Sequence, residues 1–229
     1  MKIGILQTGR SPDEIAGKYG QYDTLFRKLL AGRGFEFDTY AVLDDVLPDS
    51  VDAADGWLIT GSKFGVYEPH SWITPMEEFL REAYAADIPI IGVCFGHQIL
   101  AQALGGTVKK FDGGWSVGKV AYQTEKSDQP TELMAFHQDQ VTALPDDAEV
   151  IGSTDFCQFA MLAYGNKALT VQPHPEFTAE FMVDLLQARG DMLPPHIVDQ
   201  AHENLAGDNA NELLADHFEH FFKTREIKL

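Results

Sequence analysis

The chain has 229 residues, of which 45% are hydrophobic, and a formal net charge of −18 at pH 7. This length and apolar content suffice for one large domain with a sizeable core. Phosphate binding needs a basic surface, so nucleic acid is excluded as a main partner. No apolar run reaches the roughly 18 residues that a membrane span requires, so we expect no membrane insertion.

The chain's first residues and its cysteines indicate the compartment. The opening MKIGILQTGR has one lysine and a short apolar stretch, which is typical of a first β-strand rather than a signal peptide. Two cysteines, Cys94 and Cys157, do not make a disulfide framework. We therefore expect a cytoplasmic protein, in a reducing compartment.

The first half of the chain alternates predicted strands and helices. Apolar runs predict strands over residues 2–7, 35–43, 56–60 and 88–93, and helical spacing predicts helices over 22–30, 72–86 and 97–104. The second helix has a capping-box pattern, with Thr74 as N-cap, Pro75 at the first position and Glu77. This order predicts an α/β fold with a doubly wound, mostly parallel sheet, which binds ligands at the carboxyl ends of its strands.

The second half begins with short strands and ends with helices. Strands are predicted over 107–111, 118–124, 133–141, 150–153 and 159–164 as antiparallel additions at one edge, and 168–171 returns to the core. Helices follow over 178–188, from Pro194, and over 209–222, the last with Asn209 and Glu212 as a capping pair. We predict one domain over 1–229, with 178–229 as a helical C-terminal extension.

The last predicted helix has a continuous apolar stripe. Such a stripe is normally buried against the domain, and a partner-binding surface is the alternative. The stripe consists of Leu213, Leu214, Phe218, Phe221 and Phe222.

The segment IPIIGVCFGHQ, residues 88–98, predicts a buried strand, a sharp turn and a helix. Its turn has the form G-x-C-x-G, the nucleophile-elbow spacing with Cys94 at the apex. Glycines beside the apex let strand and helix approach closely. Cys94 then lies at a helix N-terminus, where the backbone N–H groups favour a thiolate. The segment therefore indicates a nucleophilic cysteine.

A base for Cys94 is found in the segment QPHPEF, residues 172–177. His174 follows the predicted strand 168–171, and Glu176 is two residues on, on the same side of an extended backbone. The prolines beside His174 keep this segment out of the helical region. We predict a triad with Cys94 as nucleophile, His174 as general base and acid, and Glu176 fixing the imidazole tautomer.

Together, GVCFGHQ and QPHPE resemble the class I glutamine amidotransferase family, a Cys-His-Glu glutaminase module. The segment GWLITGS, residues 56–62, is similar to the family's oxyanion strand and turn, although it departs from the common G-G-P form. The resemblance covers residues 1–177. FGHQ and HQDQV, residues 137–141, look like the stand-alone branch, which includes GMP-synthase-like proteins and plant γ-glutamyl peptidases. The resemblance implies a flavodoxin-like sheet and an oxyanion hole formed by the N–H groups of Gly61 and Phe95.

Four further residues are predicted to bind substrate. The resemblance places Gln98 in the substrate pocket, with a helix-surface position as the alternative. Trp115 and Ser116 belong to a turn whose amides could hold a carboxylate, or which merely connects two strands. His137 is either a site residue at a strand end or a packed histidine.

Other histidine and cysteine residues are assigned no chemistry. We expect Cys157 to be structural, His97 to point away from the sulfur, and His217 and His220 to lie on a solvated face. No metal and no organic cofactor is implied.

The expected reaction is attack by Cys94 on the γ-carbonyl of glutamine or a γ-glutamyl compound, through a γ-glutamyl thioester. If ammonia leaves, the chain is a glutaminase whose partner is a separate synthetase. If an amine leaves, it is a stand-alone γ-glutamyl peptidase or transferase. A cysteine peptidase on a similar sheet and a non-catalytic binding protein on the same fold are further alternatives.

Overall fold

A nine-stranded mixed sheet forms the centre of the protein in the computed structural model, which describes residues 1–127, 129–207 and 209–229. The strands are β1 (Lys2–Leu6), β2 (Glu36–Tyr40), β3 (Gly56–Ile59), β4 (Ile90–Val93), β5 (Thr107–Lys110), β6 (Ser116–Thr124), β7 (Thr131–His137), β8 (Asp139–Ala143), β9 (Glu149–Ser153), β10 (Met161–Tyr164) and β11 (Ala168–Val171). The helices are α1 (Asp13–Tyr19), α2 (Tyr22–Leu29), α3 (Ile73–Ala85), α4 (Phe95–Ala103), α5 (Ala179–Arg189), α6 (Pro195–Asn204) and α7 (Asn211–Thr224).

The strand order combines a parallel core with an antiparallel edge. The order is β2-β1-β3-β4-β11-β10-β9-β6-β7. The first five strands pair in parallel, and the last four are added antiparallel. Strands β5 and β8 form a separate two-stranded sheet. The predicted fold class, a mostly parallel α/β sheet with antiparallel edge strands, is therefore confirmed.

Helices cover both faces of the parallel core. All residues of β3, β4 and β11 are buried, as expected for strands covered on both sides. On one face, Phe26 of α2 and Phe218 of α7 pack with Ile3 and Ile5 of β1. On the other face, helices α3 and α4 pack against Leu6, Trp57 and Ile59. This two-sided burial explains the nearly continuous apolar sequence of the central strands.

The predicted strand over 133–141 is wrong, because the chain changes sheets within it. Strand β7 belongs to the large sheet, whereas β8 pairs with β5. The chain bends at Gln138, where a contact of 3.2 Å between His137 Nδ1 and the Asp139 carbonyl spans the bend. The residues around this bend, HQDQ at 137–140, contain no glycine or proline that would mark it in the sequence.

Both predicted capping pairs are also wrong. Helix α3 begins at Ile73 with Trp72 as its N-cap, so Thr74 lies inside the first turn and does not cap. Helix α7 begins at Asn211 with Ala210 as its N-cap and no side-chain cap. The acidic members of both pairs have tertiary partners instead: Glu77 accepts from Gln102, and Glu212 pairs with Arg33.

Helix α1 was not predicted from the sequence. It has seven residues, and Ile15 is the only one of them that is buried. Ile15 packs in a cluster with Phe181 and Leu185 of α5. The helix therefore depends on a contact with a segment far away in the chain, and its own periodicity is too short to detect.

The C-terminal helices pack against the body of the protein, as the more favoured of the two interpretations predicted. Phe218 and Phe221 are 0% exposed, and Phe222 is buried beside them. Leu213, placed on the same stripe, is instead 45% exposed. Helix α6 packs on β6, where a Cβ on Gly118 would lie 3.0 Å from Ala201 Cα. We propose on this basis that the chain forms one domain.

Within the described residues, no helix is long and apolar enough to cross a membrane.

Replacing Phe218 with alanine tests the packing of α7. Phe218→Ala removes a fully buried aromatic side chain and should lower the free energy of unfolding by about 3–5 kcal/mol, measured by urea denaturation. Leu213→Ala, on the exposed side of the same helix, should cost less than about 1 kcal/mol. Equal losses for the two variants would show that α7 is only loosely attached.

Candidate active site

Cys94 occupies a strained turn between β4 and α4. Its backbone has φ 53° and ψ −102°, a region that residues with a side chain rarely adopt. Its N–H donates to the Val171 carbonyl at 2.9 Å, which ties the turn to the end of β11. The residue is 5% exposed. Such strain persists only where the surroundings impose it, and it is found most often at functional sites.

The two glycines beside Cys94 are required by close backbone approach. A Cβ on Gly92 would lie 2.5 Å from the Gly96 carbonyl oxygen. A Cβ on Gly96 would lie 2.6 Å from the Ile59 carbonyl oxygen, on the neighbouring strand β3. The G-x-C-x-G pattern therefore has the geometric basis that the sequence predicted for both glycines.

His174 and Glu176 form a buried pair just past the end of β11. His174 Nδ1 lies 2.7 Å from Glu176 Oε1, and the two side chains are 5% and 1% exposed. The imidazole ring stacks on the Phe177 ring, with centroids 4.0 Å apart. The backbone N–H of His174 donates to the Met134 carbonyl at 2.8 Å. Because Nδ1 contacts the carboxylate, Nε2 is the nitrogen left for proton exchange.

The charges around His174 favour its protonated form. Burial by itself would lower the pKa of this imidazole, but the negative charges of Glu176 and Cys94 outweigh it and raise the pKa to about 10. The arrangement can therefore hold a thiolate–imidazolium pair, with Glu176 stabilising the imidazolium.

Gly61 brings the turn after β3 against both Cys94 and His174. A Cβ on Gly61 would lie 2.8 Å from His174 Cε1 and 3.7 Å from Cys94 Cβ. The Gly61 N–H donates to no backbone carbonyl among the described residues. Phe95, as the first residue of α4, likewise has no acceptor within its helix. An oxyanion hole formed by these two amides stays a prediction.

Thr8 orients the Gly61 amide, a role that the sequence did not indicate. The Thr8 hydroxyl donates to the Thr60 carbonyl at 2.9 Å, and the Thr8 N–H donates to Thr60 Oγ1 at 3.0 Å. In a trans peptide the carbonyl and the following N–H point in opposite directions. Anchoring the Thr60 carbonyl on Thr8 therefore fixes the direction of the Gly61 N–H.

Cys94 and His174 lie in an open cleft of about 230 Å³. The turn after β3, the end of β5, the β7–β8 bend and helices α2, α4 and α5 contribute to its walls, which consist of the following residues besides Cys94 and His174. These are Tyr22, Ser62, Lys63, Phe64, Gly65, Tyr67, Glu68, Gln98, Lys110, Trp115, Phe136, His137, Gln138, Asp139, Phe177, Leu185, Arg189 and Met192.

Three of the four predicted substrate-binding residues line this cleft. Trp115, His137 and Gln98 do so, whereas Ser116 pairs with His137 across β6 and β7 and is not among the lining residues. Gln98 is buried, and its amide nitrogen donates to the Asp139 carbonyl at 2.9 Å and to Gln172 Oε1 at 3.0 Å. Gln98 thus holds the β7–β8 bend in place, and its contact with substrate stays a prediction.

His97, His137 and Cys157 are all buried. Burial lowers the pKa of His97 to about 3 and that of His137 to about 4, so both are neutral near pH 7. His97 Nδ1 lies 2.8 Å from Thr170 Oγ1. Cys157 is in the core, where burial raises the pKa of its thiol to about 12. The described residues contain no group of three or more side chains that could hold a metal.

The sequence also gave no indication that Tyr22 lies in the cleft. Burial raises the pKa of Tyr22 well above its usual value, and the charges of Arg189, Glu176 and Cys94 also act on it. Its ring lies close to the Gly61 turn, because a Cβ on Gly9 would meet both Tyr22 and the Gly61 carbonyl. Tyr22 precedes Cys94 by a whole β-α-β segment, so only the tertiary structure reveals this proximity.

The sheet and the strand–turn–helix segment that carries Cys94 define an α/β protein with a nucleophile-elbow turn. The family model of class I glutamine amidotransferases matches residues 19–186, which is most of the chain. The chain therefore belongs to the class I glutamine amidotransferase family.

Relatives of known name agree with this membership. A glutamine-hydrolyzing GMP synthase subunit of Archaeoglobus fulgidus is 33% identical over 178 residues, 73% of this chain and 90% of the relative. Gamma-glutamyl peptidase 4 of Arabidopsis thaliana is 28% identical over 192 residues, 77% of this chain and 76% of the relative. The crystal structure of a glutamine amidotransferase from Methylobacillus flagellatus has the same fold, with a TM-score of 0.79 and 19% identity, covering 98% of this chain and 93% of the other.

Titration of the histidines tests the electrostatics of the site. His174 should stay protonated up to about pH 10, whereas His97 and His137 should be neutral at pH 6, as measured by NMR of ¹⁵N-labelled imidazoles. Glu176→Gln removes one of the negative charges and should lower the pKa of His174 by roughly 1–3 pH units.

A second histidine–glutamate pair supplies the control for this titration. Glu226→Gln alters the pair with His220, which does not line the cleft, and should leave the titration of His174 unchanged. A His174 that titrates near pH 6.5 in the parent protein would contradict the electrostatic account.

Proposed function

We propose that the protein is a hydrolase that attacks the γ-amide carbonyl of glutamine or of a γ-glutamyl compound, with Cys94, His174 and Glu176 as its triad. The convergence of Gly61, Cys94 and His174 supports this most strongly, because a nucleophile, a base and an oxyanion donor then share one point. Membership of the class I glutamine amidotransferase family supports the choice of a γ-glutamyl substrate.

In the first half-reaction, the Cys94 thiolate attacks the γ-carbonyl carbon and the carbonyl electron pair moves to oxygen. The N–H groups of Gly61 and Phe95 bind this oxyanion. The His174 imidazolium donates its Nε2 proton to the leaving nitrogen, the C–N bond breaks, and a γ-glutamyl thioester remains on Cys94.

In the second half-reaction, water gives a proton to the neutral His174 and attacks the thioester carbon. Glutamate leaves, and the thiolate–imidazolium pair is restored. Glu176 acts throughout by holding Nδ1, so that Nε2 faces the reacting groups.

Two leaving groups are consistent with this site. The likeness to the GMP synthase relative supports ammonia, which a separate synthetase would consume. The likeness to gamma-glutamyl peptidase 4 supports an amine, and the open cleft favours this second candidate because it leaves room for a larger leaving group. In either case we propose a cytoplasmic enzyme that requires no metal or organic cofactor.

Replacing Cys94 tests the reaction. The parent protein should release ammonia from glutamine or glycine from γ-glutamylglycine, and Cys94→Ala should lose this activity by roughly 10⁴-fold or more. Cys157→Ala is the matched control and should keep it, because Cys157 lies in the core outside the cleft. His174→Ala should cost more than Glu176→Ala, which acts through the imidazole.

Covalent labelling separates this proposal from a non-catalytic binding protein. A diazo-ketone analogue of glutamine should label Cys94 and spare Cys157, as measured by mass spectrometry. Absence of both turnover and labelling would overturn the proposed function.

Replacing Gly61 tests the oxyanion turn. A Cβ at this position would press on His174 Cε1, so Gly61→Ala should lower kcat about 100-fold, and it should also lower the melting temperature because the buried imidazole must shift. Gly17→Ala is the control, since a Cβ there meets no atom within 4 Å, and it should keep the parent kcat. An unchanged kcat in Gly61→Ala would remove Gly61 from the mechanism.

A further inference from the structure

Three cationic side chains without anionic partners line the cleft. Lys63, Lys110 and Arg189 form no ion pair and no hydrogen bond within the described residues. The chain has 35 acidic and only 17 basic residues, so partners are abundant. Arg33, by contrast, contacts the three carboxylates of Glu212, Asp216 and Glu219. Lys109 and Lys228 also lack such partners within the described residues, but only Lys63, Lys110 and Arg189 line the cleft.

The three cations come from segments that only the fold brings together. Lys63 lies in the turn after β3, and its ammonium is 5.2 Å from the centre of the Phe64 ring. Lys110 is the last residue of β5, and Arg189 is the last residue of α5. They surround a cleft whose residues also include Cys94 and His174.

The two acidic residues of the cleft walls already have protein partners. Glu68 accepts from the Gly65 N–H at 3.0 Å and contacts His70 Nε2 at 2.9 Å. The Asp139 carboxylate accepts from the Tyr67 hydroxyl at 3.0 Å. Lys110 stands opposite Asp139 in the β5–β8 register, and its charge acts on Asp139 without forming an ion pair. Both carboxylates thus have hydrogen-bond donors, whereas the three cations have no acceptors, and three cations against two carboxylates leave the cleft walls with a net positive charge.

The glutamyl half of the substrate does not account for three cations. It carries one α-carboxylate, and a single Arg can bind a carboxylate through two hydrogen bonds. Ammonia, as a leaving group, adds no negative charge. An amino acid or peptide as leaving group adds a second carboxylate, on the far side of the scissile bond.

We propose that Lys63, Lys110 and Arg189 bind a carboxylate on the leaving amine, so that the enzyme prefers γ-glutamyl amino acids and peptides to glutamine. This inference rests on the proposed function, since it assigns the leaving group of that same reaction. The three residues determine specificity and take no part in bond breaking.

The experiment compares two substrates that differ only in this charge. γ-Glutamylglycine has a carboxylate on its leaving group, and γ-glutamylglycinamide has a neutral amide there. The parent protein should turn over the first with a kcat/KM about 10–100-fold higher. Lys63→Gln, Lys110→Gln and Arg189→Gln should each reduce this ratio by roughly 3–30-fold, mainly through KM.

Lys109→Gln is the matched control, because Lys109 neighbours Lys110 on β5, is exposed and does not line the cleft. It should keep the parent ratio. Equal losses on both substrates in the three cleft variants would assign the cations to the glutamyl α-carboxylate and overturn the inference. A parent protein without preference would also overturn it.

Binding measurements keep this result separate from the fate of the proposed function. The Cys94→Ala variant should bind γ-glutamylglycine more tightly than its amide in calorimetry, whether or not the parent turns either over. If the parent turns over neither substrate but Cys94→Ala still binds γ-glutamylglycine more tightly, the proposed chemistry is rejected and the role of the three cations is kept. Equal or absent binding would reject the role of the three cations.

Discussion

The site depends on one steric constraint, the close crossing of β4 and α4 at Cys94. Because strand β4 lies between β3 and β11, its end delivers Cys94 between Gly61 and His174. Residues far apart in the chain thereby meet beyond the ends of adjacent parallel strands, and the hydrogen bond from the His174 backbone to Met134 helps to position His174. Holding Cys94 at φ 53° costs on the order of 1–3 kcal/mol, and the buried strands on either side offset it. A side chain at Gly92 or Gly96 would separate strand from helix and remove this geometry.

The His174–Glu176 pair adds an electrostatic constraint to the steric one. Burying two ionised groups is unfavourable unless they are well paired, so such pairs contribute little to stability by themselves. The pair is held from several sides, since Phe177 stacks on the imidazole and Met134 accepts from its backbone. This degree of fixation suits a group that must present one nitrogen to a partner. Strongly perturbed pKa values of this kind are found most often at functional sites.

The parts of the structure that the sequence revealed are those with local signals. The parallel strands, the elbow at Cys94 and the His174–Glu176 spacing all follow from apolar runs, glycines and prolines over a few residues. The bend at Gln138, helix α1 and the true N-caps were missed because tertiary contacts decide them. Glu77 and Glu212 fit a local capping rule, yet Gln102 and Arg33 bind them instead. Thr8 and Tyr22 were missed for the same reason, since their roles exist only once β1 and α2 are packed beside the Gly61 turn.

The cleft residues differ in how firmly the fold holds them, because they are attached to different kinds of segment. Cys94 and His174 are attached to the ends of central strands, where packing on both faces leaves little freedom. Lys63 and Arg189 are attached to a turn and to a helix end, which tolerate substitution far better. Lys63 lies where the sequence departs from the G-G-P turn, and Arg189 lies beyond residue 186, where the match to the family model ends. A common sheet can therefore keep the geometry of Cys94 and His174 while these outer segments vary, which is where our proposal places the selection of the leaving amine.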